Sequence, residues 1–115
     1  MIVLDYPPAL NHLYRSVVVG GHVRILKSKT GQAWMLAAGW KLREQYHGEP
    51  LGCPLRLSVW LYRPARRGDI DGPLKALLDV AQGILYVNDD QIAELHVWRA
   101  DDKARPRAEI LVEAL

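Results

Sequence analysis

A chain of 115 residues has room for one domain and one hydrophobic core, so a single domain spanning residues 1–115 is expected. Half the residues are apolar and 24% are charged, which excludes a disordered chain. The lone cysteine, Cys53, excludes an internal disulfide and a thiolate metal cage, and is expected as a small half-buried hydrophobe. The net charge is only +2 but unevenly spread: Asp69 to Asp90 holds five Asp and one cation, Lys75, while outside it fourteen Lys and Arg face eight acids. That pattern suits either ordinary surface charge or a metal-dependent enzyme acting on a polyanion.

No run approaches the ~18 consecutive apolar residues of a membrane helix. Met1–Asp5 shows neither the basic start nor the long apolar run of a signal peptide, so a cytoplasmic location with no membrane partner is expected. Ile2–Tyr6 alternates as an opening strand and is stopped by Pro7-Pro8. Residues 9–21 read as an irregular loop containing the apolar run Val17-Val18-Val19, and His22–Lys27 alternates as a second strand.

Ser28–Tyr46 reads as the longer helix, with Trp34, Leu36, Ala37, Trp40 and Leu42 near helical spacing and His47-Gly48 at its end; Gly31 and Gly39 weaken it. The two tryptophans fit a core stripe. Leu55–Tyr62 alternates as a strand. Asp71–Gln82 reads as a second helix, capped by Asp71, with Pro73 in its first turn, a stripe of Leu74, Leu77, Leu78 and Ala81, and Gly83 as its stop. Gln91–Arg99 and Arg107–Val112 read as two closing strands. The expected fold is α/β of the α+β kind: a small mixed β-sheet with two helices packed on it.

The chemistry concentrates in Asp69-Ile70-Asp71-Gly72-Pro73-Leu74-Lys75. Asp69 and Asp71 are two apart on an extended run and can share a side; Asp71 and Lys75 are four apart across a helical turn. Two carboxylates about 4 Å apart repel by roughly 4 kcal/mol at an effective dielectric of 20, which a divalent cation would relieve. With no His in the segment, the oxygen set favours a hard cation over zinc. Asn88-Asp89-Asp90-Gln91 supplies a second acidic pair before a strand. Each pair alone reads as a turn or cap; together, across one helix, they suggest a site.

The run GDIDGPLKALLDVAQGILYVNDDQIAEL resembles the core signature of the RusA-type Holliday junction resolvases, and YPPALNHLYR is similar to that family's opening. The resemblance spans nearly the whole chain. It implies a structure-selective endodeoxyribonuclease with Asp69, Asp71 and Asp90 as metal-binding carboxylates and Lys75 as the active-site lysine. It also implies Mg²⁺ as cofactor, with Mn²⁺ as a substitute, and four-way or branched DNA as partner. Asn11, Tyr14 and Arg15 carry over from the opening. One position departs: the family's Asn after the second Asp is Gly72 here, followed by Pro73.

With Arg15, Arg24, Lys27, Lys29, Arg63, Arg66 and Arg67 as phosphate-gripping residues, the expected reaction is hydrolysis of a DNA phosphodiester by metal-activated water. Lys75 would either neutralise charge developing on phosphorus or help deprotonate the water. A symmetric homodimer is expected, because resolving a junction needs two matched cuts; its interface is placed on the exposed part of the long helix or on an edge strand. Two other readings stand beside this one. A non-catalytic junction-binding relative would bind without cutting. A transferase holding a metal-bound nucleotide on the D-x-D pair would need a nucleotide fold, and no Gly-rich phosphate loop is present.

Overall fold

The computed structural model describes all residues from Met1 to Leu115. Four strands form one mixed sheet in the order β1 (Ile2–Asp5), β6 (Arg107–Ala114), β4 (Leu55–Arg63), β5 (Ile92–Asp101). β4 pairs antiparallel with β6 and parallel with β5, so the chain must cross over between β4 and β5. The crossover carries the helix α3 (Leu74–Ala81). A longer helix, α2 (Lys29–Gln45), lies between β3 (His22–Lys27) and β4 in the chain.

Period-two alternation decides which face of the sheet is covered. Leu55, Leu57, Val59 and Leu61 of β4 are each at most 1% exposed. They share one cluster with Ala38 and Leu42 of α2 and with Leu77, Val80 and Ala81 of α3. Both helices therefore lie on the same face, as the α+β reading expects. Burying each of these leucines contributes roughly 1.5–3 kcal/mol. Cys53 is half-buried, in line with its expected role. The opposite face stays open: Trp60 and Trp98 stack with centroids 5.0 Å apart, and the Arg107 guanidinium lies 3.8 Å above the Tyr62 ring.

Four sequence expectations change. Residues 9–21 are not an irregular loop: Leu10–Leu13 form a short helix, α1, and Tyr14–Val19 form β2, which pairs with β3 along its whole length. The reason is Gly20-Gly21, whose φ values of 59° and 80° make a two-residue hairpin turn that other residues rarely adopt. Trp40 is not in the core; it is 62% exposed, while Trp34 is half-buried and donates its ring N–H to the Asp5 carbonyl at 3.2 Å. The second helix starts at Leu74 rather than Asp71, and β5 runs two residues past Arg99.

The entry to α2 explains Gly31, which helix propensity alone counts against. Ser28 caps the helix, its Oγ accepting from the Gly31 N–H at 2.9 Å and donating to the His12 carbonyl at 2.6 Å. A Cβ at Gly31 would lie 2.6 Å from the Leu13 carbonyl oxygen, itself held by the Ser28 N–H at 2.8 Å. Backbone on both sides leaves nothing flexible to yield. Gly31→Ala is therefore expected to destabilise the protein by about 1–3 kcal/mol, as overpacking does. Gly39→Ala, whose Cβ would meet only the end of the Arg43 side chain, should be neutral or stabilising by up to about 1 kcal/mol. Urea unfolding of both variants checks the contrast; equal midpoints would remove the close-approach explanation.

Candidate active site

β4 delivers the chain to an acidic loop at its carboxyl end, the edge of an α/β unit where ligands commonly bind. Residues 64–73 make that loop, and hydrogen bonds to its backbone carbonyls from three elements fix it. Arg99 of β5 donates to the Gly68 carbonyl at 2.9 Å, Leu10 of α1 donates to the Gly72 carbonyl at 2.9 Å, and Leu74 donates to the Asp71 carbonyl at 3.1 Å. Gly68 takes φ 86°, a left-handed conformation suited to glycine. Asp71 does not cap α3: Pro73 stands at the N-cap and no side chain bonds the first turn. The two-residue D-x-D spacing instead leaves Asp69 and Asp71 on an exposed turn, lining with Asn11 an open cleft of about 490 Å³. Gly72 lacks the family's Asn side chain, but its backbone carbonyl does the tying of α1 to the loop.

A second group lies along α3. Lys75 Nζ donates to Asp79 Oδ1 at 2.9 Å, and the Tyr14 hydroxyl donates to Asp79 Oδ2 at 3.3 Å. The hydrogen bond to Asp79, helped by the charges of Asp79 and Asp89, holds the Lys75 ammonium above the usual lysine range. Burial, with the neighbouring Asp79 charge, raises the Tyr14 phenol. Burial also keeps the Tyr86 hydroxyl protonated, and it donates to the Leu78 carbonyl at 2.7 Å. Lys75 thus reaches down the helix toward Asp79 and Asp89.

Beyond the end of α3 the second acidic pair sits on a rigid turn. Asn88 Oδ1 accepts from the Asp90 N–H at 3.1 Å, and Gln91 Oε1 accepts from the Asn88 N–H at 2.8 Å. The Gln91 amide also donates to the carbonyls of Leu51 and Cys53 at 2.7 and 2.9 Å. The capping box that part-reads as a turn is present, and it directs Asp89 and Asp90 outward, both exposed. Asp90 precedes β5 while Asp69 follows β4, and the two strands are parallel with Leu55 beside Ile92. The two acidic pairs therefore sit at opposite ends of α3, whose eight residues span about 12 Å. In accord with that separation, no three His, Cys, Asp or Glu side chains gather closely enough to hold a metal ion within the chain.

Ion pairing separates these carboxylates from most of the rest. Asp5, Asp79, Glu94, Asp101, Asp102, Glu109 and Glu113 each have a basic partner within 4.0 Å, while Asp69, Asp71, Asp89 and Asp90, like Glu44 and Glu49, have none. Of the expected phosphate-gripping residues, Arg66 and Arg67 are exposed on the acidic loop, Arg15 and Arg24 are exposed on β2 and β3, Lys27 ends β3, and Lys29 opens α2. Arg99 was not among the expected site residues. Its signal was there: it alternates with Leu95 and Val97 on the sheet's core-facing register, where an arginine at a strand end needs a polar partner to reach.

Comparison with known proteins identifies the family. A family model described as Endodeoxyribonuclease RusA matches residues 5–113. Over 85 residues the chain is 33% identical to a protein of Aquifex aeolicus (strain VF5) named Crossover junction endodeoxyribonuclease RusA, covering 71% of this chain and 67% of that protein. The family match runs from the last residue of β1 through most of β6, and so takes in the acidic loop, α3 and the Asn88–Gln91 turn. This chain belongs to the RusA endodeoxyribonuclease family.

Proposed function

We propose that this protein is a Mg²⁺-dependent endodeoxyribonuclease that resolves four-way DNA junctions by paired phosphodiester hydrolysis. The observation that carries the reading is the set of free carboxylates on two rigid turns, at positions matching the family's motif, while the acids elsewhere are mostly neutralised. An all-oxygen set of Asp69, Asp71 and Asp90 fits a hard divalent cation, Mg²⁺ or Mn²⁺. When bound, such an ion supplies Lewis-acid polarisation and an activated water. In the reaction the water oxygen bonds to phosphorus, one bridging P–O bond breaks, and the proton of water leaves with a base or the released oxygen.

The chain's own residues carry the rest. Lys75, held as an ammonium by Asp79, favours neutralising the charge that develops on phosphorus over acting as a base. Arg66 and Arg67 flank the acidic loop and would hold phosphates on either side of the scissile one. Because Asp69 and Asp71 precede α3 and Asp90 follows it, the reading includes a homodimer. Two α3 helices set antiparallel about a two-fold would place Asp69 and Asp71 of one copy beside Asp90 of the other. Exposed Leu36 and Trp40 of α2, at 68% and 62%, offer the apolar contact a dimer needs, and Leu36 lies along one groove with Asp79 and Val80 of α3.

The test is a labelled four-way junction incubated with the protein, with and without Mg²⁺. Cuts in two opposing strands that require the metal are expected. Junction binding should weaken steeply with salt, with a slope near −0.9 for each phosphate contact, and Arg66→Ala and Arg67→Ala should each flatten it by about one contact. Binding without cleavage at every Mg²⁺ concentration would replace this reading with that of a non-catalytic junction-binding relative.

A further inference from the structure

The hairpin of β2 and β3 has no partner sheet: its strands pair only with each other, and both outer edges are free. One face carries Val18, Val23 and Ile25, and the other sets Val17, Val19 and Leu26 among Arg15, His22 and Arg24. Val18, Val23 and Ile25 are each more than 70% exposed, Val19 52% and Leu26 43%. A two-stranded ribbon is at best marginally stable in water, so an exposed apolar one implies an occupant.

Charge identifies the class of occupant. From Tyr6 to Arg43 the chain holds no Asp or Glu, and Arg15, Arg24, Lys27 and Lys29 lie on or beside the hairpin. A second copy packed on it would set cation against cation. A polyanion with exposed apolar rings does not. The root is also placed for DNA. Leu13 is fully buried and its carbonyl accepts from Ser28, which ties the two ends of the hairpin together, and Tyr14 at the start of β2 bonds Asp79 beside Lys75. Six residues per strand carry the tip about 20 Å from that root.

We propose that this hairpin is a wedge that enters the DNA branch point, with Val18, Val19 and Val23 packing on the base pairs that the crossover leaves unstacked. The inference rests on the junction-resolving reading and adds to it the element that opens the substrate. Proteins that bend or part a duplex use apolar wedges flanked by cations in this way, and a two-stranded ribbon is narrow enough to enter a groove. The basic residues hold the phosphates of adjacent arms, and the wedge holds the branch apart while the scissile strand reaches the acidic loop.

The experiment uses the full chain without divalent metal, so that nothing is cut. A four-way junction carries 2-aminopurine at the branch point, and a linear duplex carries it at its centre. Wild type is expected to raise junction fluorescence by unstacking the probe and to leave the duplex signal unchanged. The double variant Val18→Ser, Val23→Ser alters only solvated side chains; it should lose most of that rise and roughly tenfold in junction affinity, while duplex affinity and salt slope stay as in wild type. Val18→Ile, Val23→Ile should keep the rise, which guards against an effect of altered strand propensity. An unchanged fluorescence rise in the serine variant overturns the wedge. A serine variant with half the solution mass of wild type by light scattering overturns it too, making the hairpin an interface between copies. Wild type that binds no junction at all overturns the junction-resolving reading itself, a failure visible before any variant is made.

Discussion

Asp71→Asn should lose junction cleavage by at least about a hundredfold, the order expected when one electrostatic stabiliser is taken from a reacting centre, and should still bind the junction. The expectation is sharper than sequence alone allowed. Asp71 has no basic partner and does not cap α3, so the substitution removes a charge and little else. Thermal stability without metal should stay within about 0.5 kcal/mol of wild type, as for an exposed side chain free of contacts. With Mg²⁺, wild type should gain stability as RT ln(1 + [Mg²⁺]/Kd), and the variant should gain less. Cleavage rates, junction affinity and melting curves with and without Mg²⁺ measure all three. Full cleavage by Asp71→Asn would remove Asp71 from the catalytic set and defeat the assignment of the acidic loop.

Mixing two inactive variants should restore activity. If Asp69 and Asp71 work with Asp90 of the partner copy, Asp71→Asn and Asp90→Asn homodimers are both dead. In a mixed dimer both substitutions fall in one site, and the other site is whole. Random exchange makes half the dimers mixed, so about a quarter of wild-type sites should return, each nicking one strand. If each protomer instead carried a complete site, every site in the mixture would lack one carboxylate and no activity would return. The motive is geometric: parallel β4 and β5 send the two acidic turns to opposite ends of α3. Nicking of the labelled junction after refolding the two variants together checks it. No recovery, with mixed dimers present by mass, would place all three carboxylates in one chain.

Much of this was legible in the sequence, and the physical reasons differ by element. The alternation of Leu55, Leu57, Val59 and Leu61 marks a strand because a side-chain period of two must match a buried face, and β4 is that strand, with those residues in the core. Ser28 marks the start of the long helix because its oxygen supplies an acceptor that the first turn lacks. The run from Asp69 to Gln91 carries the family because its spacing of charged residues is local and needs no folding to be read. Gly20-Gly21 is read as part of a loop because the apolar run before it is short; its pairing with His22–Lys27 shows only in the fold.

Tertiary structure decided the rest, since these outcomes depend on residues far apart in the chain. Gly31 looks like a flaw in a helix until the Leu13 carbonyl is seen 2.6 Å from where its Cβ would stand. Trp40 follows the helical period yet stays exposed, because α3 and the sheet cover other sides of α2. Lys75 shares a helical face with both Asp71 and Asp79, and periodicity cannot choose between them; the turn at Pro73 puts Asp71 outside the helix and leaves Asp79 as the partner. Above all, sequence spacing brings Asp90 close to Asp69 and Asp71 on paper. In the structure α3 stands between them in the chain, with Asp71 before its first turn and the Asp89 N–H bonded to Gln82 at its end.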